Sequence, residues 1–234
     1  MTTTDLPAEL TDSLPLDDYL SAVQSALDPF GFTPDATLAA VSICRDELTQ
    51  HLSGAVARRW GAPFSLGGLG GIPTLGRTGW GACLAHVPTE VDRGKLLVIC
   101  LAHIGVEPEA GLFVRPGQRR ASATCGAAAA LLAGWADAGA QPAAHEDNEA
   151  AMLRSLVEQG ADEAPGSIVE LTMAIAAAAL TEARRQVEAA SPWDSMDVAL
   201  LGGVQVHAPG GDLVLPVGGQ YRTGPDEVAE LEIG

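Results

Sequence analysis

Leu96-Leu97-Val98-Ile99-Cys100-Leu101-Ala102-His103 is an unbroken apolar run that closes on an imidazole. A short stretch without polar alternation suits a strand buried on both faces, the condition of a parallel sheet covered by helices. Leu38-Ala39-Ala40-Val41-Ser42-Ile43-Cys44 reads the same way and closes on a thiol. A third potential ligand, Cys125 in Thr124-Cys125-Gly126, runs directly into Ala127-Ala128-Ala129-Ala130-Leu131-Leu132, which predicts a helix. In open α/β sheets, ligands gather at the carboxyl ends of strands and the amino ends of helices. Two thiolates and an imidazole at such places, with Asp46 beside them, suggest a catalytic zinc site with an open fourth position. The expected fold is therefore α/β, with a mainly parallel central sheet flanked by helices.

Outward from these runs, residues 17–27 carry helical spacing through Tyr19, Leu20, Val23 and Leu27, and stop at Asp28-Pro29-Phe30-Gly31. After the first strand a helix is expected through Leu48, Leu52, Val56 and Trp60, with Asp46 suited to its N-cap or first turn. The segment Leu66-Gly67-Gly68-Leu69-Gly70-Gly71-Ile72-Pro73-Thr74-Leu75-Gly76-Arg77-Thr78-Gly79 reads as a shaped loop, because its glycines permit close backbone approach or positive φ. Residues 106–120 are turn-rich. The Ala-rich helix is expected to end near Gly139, and an acidic helix to follow over 144–159. Ser167 and Glu170 form a capping-box pattern for a helix reaching about residue 189. Two strand-like pieces, 198–207 and 213–217, flank Pro209-Gly210-Gly211. Residues 1–15 are polar and expected to be a frayed terminus, with 16–234 forming a single domain.

The 234-residue chain is long enough for a substantial core, and its formal net charge is −17 with a single lysine, Lys95. A nucleic-acid surface needs clustered cations, so this balance argues against nucleic acid and equally against an anionic membrane surface. Its plain reading is a solubilising surface. The four cysteines, at 44, 83, 100 and 125, show no disulfide-framework spacing. The first residues lack a signal-peptide pattern, and the longest uncharged helical stretch, 171–181, is about half a bilayer span. The expected location is the cytoplasm, where free thiols persist.

Two other chemistries compete with the metal. Gly71-Ile72-Pro73-Thr74-Leu75-Gly76-Arg77-Thr78 imitates a phosphate loop, but Arg replaces the lysine that reaches the terminal phosphates and Pro73 interrupts the loop. Cys125 at a helix N-terminus could instead be a nucleophile, activated by the helix dipole and a histidine, but Cys44 would then have no role. Cys83 and Cys100 read as buried structural cysteines; Cys100 should face away from His103 across the sheet. His86 competes with His103 as a ligand, while His51 and His145 read as surface residues.

Pro29-Phe30-Gly31-Phe32, Ser42-Ile43-Cys44-Arg45-Asp46-Glu47, the 67–81 glycine loop, Ala102-His103-Ile104-Gly105 and Thr124-Cys125-Gly126-Ala127 together resemble the limiting-CO2-inducible protein B/C family. The resemblance is close over 29–132 and looser through Leu200-Leu201-Gly202-Gly203-Val204-Gln205-Val206-His207. It implies a β-carbonic-anhydrase-like fold of the theta class, Zn2+ on Cys44, His103 and Cys125, Asp46 as the acid beside the metal, and a homodimer with sites near the interface. Ordinary β-carbonic anhydrases place the second cysteine three residues after the histidine, whereas here Cys125 follows His103 by 22. They also hold the Asp with an Arg two residues on, and that position is Leu48. Arg45 is the nearest candidate partner for Asp46, with Arg115 and Arg77 as rivals.

The implied activity is reversible hydration of CO2 to bicarbonate by zinc-bound hydroxide. The alternative is a silent homologue using the same zinc fold as a structural or bicarbonate-responsive module. In the catalytic reading Asp46 orients the zinc-bound water, its arginine keeps it off the metal, and His86 relays protons. Phe64, Leu66, Leu69 and Trp80 then wall a small dry pocket for CO2.

Overall fold

The computed structural model describes residues 6–88, 93–135, 146–161 and 163–233. Strands and helices are numbered in chain order. The parallel half of the central sheet contains β2 (Thr37–Ile43), β3 (Phe64–Ser65), β4 (Gly94–Gly105) and β7 (Met196–Ala208), with β4 between β2 and β7 and β3 on the edge. Between β4 and β7 in the chain, β5 (Leu112–Phe113) and β6 (Ser122–Ala123) form a separate two-stranded antiparallel pair, and beyond β7 the pairing in the central sheet turns antiparallel. There β8 (Gly211–Arg222) folds back on β7, and β1 (Leu14–Pro15) and β9 (Val228–Glu230) both pair with β8. The expected α/β architecture, a mainly parallel sheet between helices, is thus present with an antiparallel margin.

The β4 run shows why. Its side chains divide by parity: Leu96, Val98, Cys100, Ala102 and Ile104 enter one core and Leu97, Ile99 and Leu101 the other. Both faces are dry, so apolar residues occupy every position from Leu96 to Ala102. One face is covered by α3 (Gly76–Leu84), α4 (Gly126–Ala133), α5 (Asn148–Gly160) and the long α6 (Ile168–Ala190); the other by α1 (Leu16–Leu27) and α2 (Gln50–Trp60). Ser167 Oγ caps α6 by accepting from the Glu170 N–H, and the Glu170 carboxylate accepts from the Gly166 N–H one residue before the cap. Where β4 and β7 begin, Asp197 is buried between Arg93 and Lys95, and the Tyr221 hydroxyl donates to it at 3.3 Å.

Several expectations need correction. Of the terminus expected to be frayed, residues 1–5 lie outside the described residues; in residues 6–15 Leu10 is buried in one core, Leu14 packs against the other, and β1 pairs with β8. The glycine segment is not all loop, since α3 starts at Gly76 with Trp80 and Cys83 buried beneath it. Its glycines had masked that helical spacing. The Ala-rich helix closes at Gly134 rather than near Gly139, which lies outside the described residues, as do Ala144 and His145. The acidic helix is α5, capped by Asp147 and buried through Leu153 and Val157, so it is more than a solvated face. The second tail strand extends through Gly218-Gly219 to Arg222, beyond the apolar stretch that announced it.

Candidate metal centre

Unequal strand lengths create the site. The pairing of β2 with β4 ends at Ile43 opposite Leu101, whereas β4 continues beside β7 as far as Gly105 opposite His207. His103 therefore projects past the end of β2, where Cys44 leaves it. Cys125 arrives as the N-cap of α4. The Cys44, His103 and Cys125 ligand atoms lie within 4.8 Å of one another, and all three residues are buried. Of the two candidate histidines, His103 joins the cysteines. His86 lies exposed at the end of α3, its Nδ1 against Ala82 O at 2.7 Å and its ring against Phe64.

The glycine loop closes over these strand ends. A Cβ on Gly67 would sit 2.1 Å from Ile43 O, and one on Gly71, whose φ is +85°, 2.4 Å from Leu101 O. Only glycine allows that approach. Ser42 Oγ donates to Gly71 O at 2.7 Å and fastens the loop to β2.

The electrostatics favour a cation. Hydrogen bonding between the two sulfurs pulls the Cys44 thiol well below its usual range, aided by His103 and the Asp46 N–H, and pushes Cys125 up. The Ala128 and Ala127 N–H groups at the start of α4 act in the opposite sense on Cys125, favouring its thiolate. His103 Nε2 is buried and has no hydrogen-bond partner, a costly state for an imidazole nitrogen. A metal ion in contact with that nitrogen and both sulfurs would satisfy all three, so the residues fit the metal that the sequence implied. Cys83 and Cys100 differ: burial alone pushes each thiol up to about 12, and Cys100 faces the core away from His103.

Asp46 caps the short helical turn 47–49: its Oδ1 accepts from the Leu48 N–H at 3.0 Å, and its Oδ2 from Arg115 at 2.8 Å. Among the three arginines considered, it is Arg115 that reaches Asp46. Arg115 also donates to Glu47 Oε1 (2.6 Å), Ser122 Oγ (2.6 Å), Ala123 O (3.0 Å) and Thr124 O (3.1 Å). One guanidinium thus ties the chain just after Cys44 to the chain just before Cys125. Arg45 makes a two-pronged pair with Glu149 on α5, and Arg77 lies exposed beside a separate cavity with Trp80. The four residues expected to wall a CO2 pocket pack in or against one core cluster but share no cavity: Phe64 lies against His86, Leu66 is core, Leu69 lines a 370 Å³ cavity against α4 and α5, and Trp80 lines the Arg77 cavity.

The sequence reading gave no role to His207 and Asp212. Burial holds the His207 imidazole below its usual range, against the pull of Asp212. Its Nε2 lies 3.2 Å from His103 Nδ1, and its Nδ1 2.8 Å from Asp212 Oδ1. The signal available was parity: His103, Gln205 and His207 are polar residues on one face of otherwise apolar strands.

A buried Cys-His-Cys cluster that could hold a metal ion, set where parallel strands end and a helix begins, is the candidate site of a β-carbonic-anhydrase-like protein. The model for limiting CO2-inducible proteins B/C, beta carbonic anhydrases, matches residues 13–223, and the chain belongs to that family. The crystal structure of PtLCIB4, a homolog of the limiting CO2-inducible protein LCIB, is similar at 26% identity and TM-score 0.82, covering 98% of this chain and 99% of that one. LCIB itself has the same fold, at 23% identity, TM-score 0.80 and full coverage of both chains. No curated protein matches the sequence. No helix among the described residues is long and apolar enough to cross a membrane.

Proposed function

We propose that this protein is a zinc-dependent carbonic anhydrase that interconverts CO2 and bicarbonate. The observation carrying this reading is the partnerless, buried Nε2 of His103, on an imidazole that has a ring nitrogen within 4.8 Å of two cysteine sulfurs. Two sulfurs and one imidazole nitrogen suit zinc, and three protein ligands leave a fourth position free. Zinc there supplies Lewis acidity that makes hydroxide available from water near neutral pH. Asp46 accepts a hydrogen bond from the reacting water and aims its lone pair at CO2. The Leu48 N–H and Arg115 hold the carboxylate and oppose its swing onto the metal.

Arg45 acts on the anion. It lies with Cys44 along a cleft of about 360 Å³ beside β3, and on releasing its pair with Glu149 it would supply positive charge there on a chain of net charge −17. Bicarbonate is otherwise repelled by such a surface, so a local cation matters more than usual. A homodimer in the cytoplasm completes the reading.

The burial of all three ligands favours a second reading, a catalytically silent zinc protein with a structural or bicarbonate-responsive role. One experiment separates them: stopped-flow CO2 hydration beside metal analysis on the same sample, for the wild type and Cys44→Ala. The enzyme reading requires about one zinc per chain and hydration that Cys44→Ala abolishes. Zinc without hydration supports the silent reading, and no zinc removes both.

A further inference from the structure

We propose that His207 and Asp212 are positioning residues that fix the tautomer of His103 and thereby turn its Nε2 lone pair toward the metal. The inference rests on the metal reading above but not on catalysis. His103 and Gln205 are register partners on β4 and β7, and His207 follows two residues later on the same face. Asp212 is the register partner of His207 across the β7–β8 hairpin. The Pro209-Gly210-Gly211 turn thus brings a carboxylate to the second histidine.

The direction of the chain is set from its acidic end. Asp212 Oδ2 accepts from Gln205 Nε2 at 3.0 Å and faces His51 Nδ1 at 3.2 Å, an arrangement that suits an ionised carboxylate. Such a carboxylate only accepts, so His207 must carry its hydrogen on Nδ1, where Asp212 Oδ1 lies 2.8 Å away. Neutral His207 then has a bare Nε2, which accepts at 3.2 Å from His103 Nδ1–H. With its hydrogen on Nδ1, His103 has its lone pair on Nε2, the atom without a partner. One assignment satisfies every link, and reversing any link sets two hydrogens or two lone pairs against each other.

Packing removes the freedom that could undo this. His103, Gln205 and His207 are at most 2% exposed, and the two imidazoles meet nearly edge-on, with ring centroids 5.4 Å apart and planes at 80°. Phe113 also lies against His207, its ring centroid 5.9 Å away. A hydrogen bond to the distal nitrogen of a metal-bound histidine orients the ring and raises its basicity; losing it typically costs about 10–100-fold in metal affinity.

A purely structural pair would affect stability alone, so the test reads metal binding. His207→Phe keeps a ring but offers His103 no acceptor, whereas His207→Gln can place a carbonyl oxygen near the lost Nε2. Zn2+ affinity is measured by chelator competition, alongside NMR of the nitrogen-labelled, Cd2+-loaded protein. The expected result is about 10–100-fold weaker Zn2+ binding in His207→Phe and near recovery in His207→Gln. In the wild type, cadmium should couple to His103 Nε2, with a solvent-protected hydrogen on Nδ1. Equal affinity in folded His207→Phe, or cadmium coupled to Nδ1, overturns the proposal. If His207→Phe does not fold, the wild-type NMR result decides alone. A wild type that binds no metal defeats the metal reading and this inference together. One that binds zinc without hydrating CO2 defeats only the catalytic reading.

Discussion

Replacing Arg115 with leucine should be the most damaging single change to the frame around the metal centre. The guanidinium is 14% exposed and makes five contacts, with Asp46, Glu47, Ser122, Ala123 and Thr124. The Asp46 bond is charge-assisted and mostly out of water, and is worth about 1.5–3 kcal/mol. The Glu47 carboxylate is 67% exposed, so its pair adds less than about 1 kcal/mol. The Ala123 and Thr124 carbonyls and the Ser122 hydroxyl add about 0.5–1.5 kcal/mol each, less whatever water regains after the arginine leaves. Because these bonds share one donor group they do not add in full, and the expected loss is about 2–4 kcal/mol. That corresponds to a fall of roughly 4–16 °C in Tm for a chain of this size. Arg45→Leu is the control: the Arg45 side chain is 62% exposed in its pair with Glu149, and its loss should cost less than about 1 kcal/mol. Urea unfolding followed by circular dichroism, on both variants without metal, gives the comparison. If Arg115→Leu lies within about 1 kcal/mol of the wild type, or if the two variants cost the same, the bridging role assigned to Arg115 is wrong.

Acid should reveal the Asp197 cluster. Burial raises the Asp197 carboxyl, but bonds from Lys95 and Arg93 outweigh it and hold the group below its usual range. Its stabilisation is therefore full above the unfolded value of about 3.9 and is lost as pH falls through the lower folded value; Asp197→Asn should flatten that limb of a urea-midpoint profile. Gly71→Ala combines positive φ with a backbone clash and should cost more than about 2 kcal/mol; Gly76→Ala, at φ +61° with open space around it, should cost nearer 1 by thermal unfolding. Chelation of the bound metal should lower Tm by an amount that grows with the free zinc concentration before removal; a Tm indifferent to zinc would count against a resident ion. Hydration should climb with pH, because two thiolates offset much of the metal's charge, and a rate flat from about pH 6 to 9 would contradict that.

Sequence reading succeeded where one physical demand dominated. The β2 and β4 runs have two dry faces each, and no soluble helix or loop of that length needs continuous apolar residues. The Cys44, His103 and Cys125 cluster was legible because Cys44 and His103 close apolar runs of neighbouring strands and Cys125 opens a helix. What escaped was set by geometry across distant segments. Arg115 reaches Asp46 over 69 residues of separation, so nearness in sequence favoured Arg45 wrongly as its partner. His207 and Asp212 sit in the reach of His103 through the β7–β8 register, and an apolar strand pattern does not announce its own polar exceptions as partners. The α3 helix was hidden by Gly76, Gly79 and Gly81, whose low helix propensity is overridden by burial of Trp80 and Cys83. The Ala-rich stretch over-predicted because alanine signals helix but not where one stops.

The Asp197 cluster also has a chemical consequence. Lys95 is the single lysine in the sequence, and its ammonium is 14% exposed and committed to a buried carboxylate. Acylation, methylation and ubiquitin transfer all require an uncharged, reachable amine. In its folded state this protein therefore offers no lysine side chain for such tags. Amine-directed crosslinkers will miss the Lys95 side chain, and trypsin will cut the native surface only at arginines.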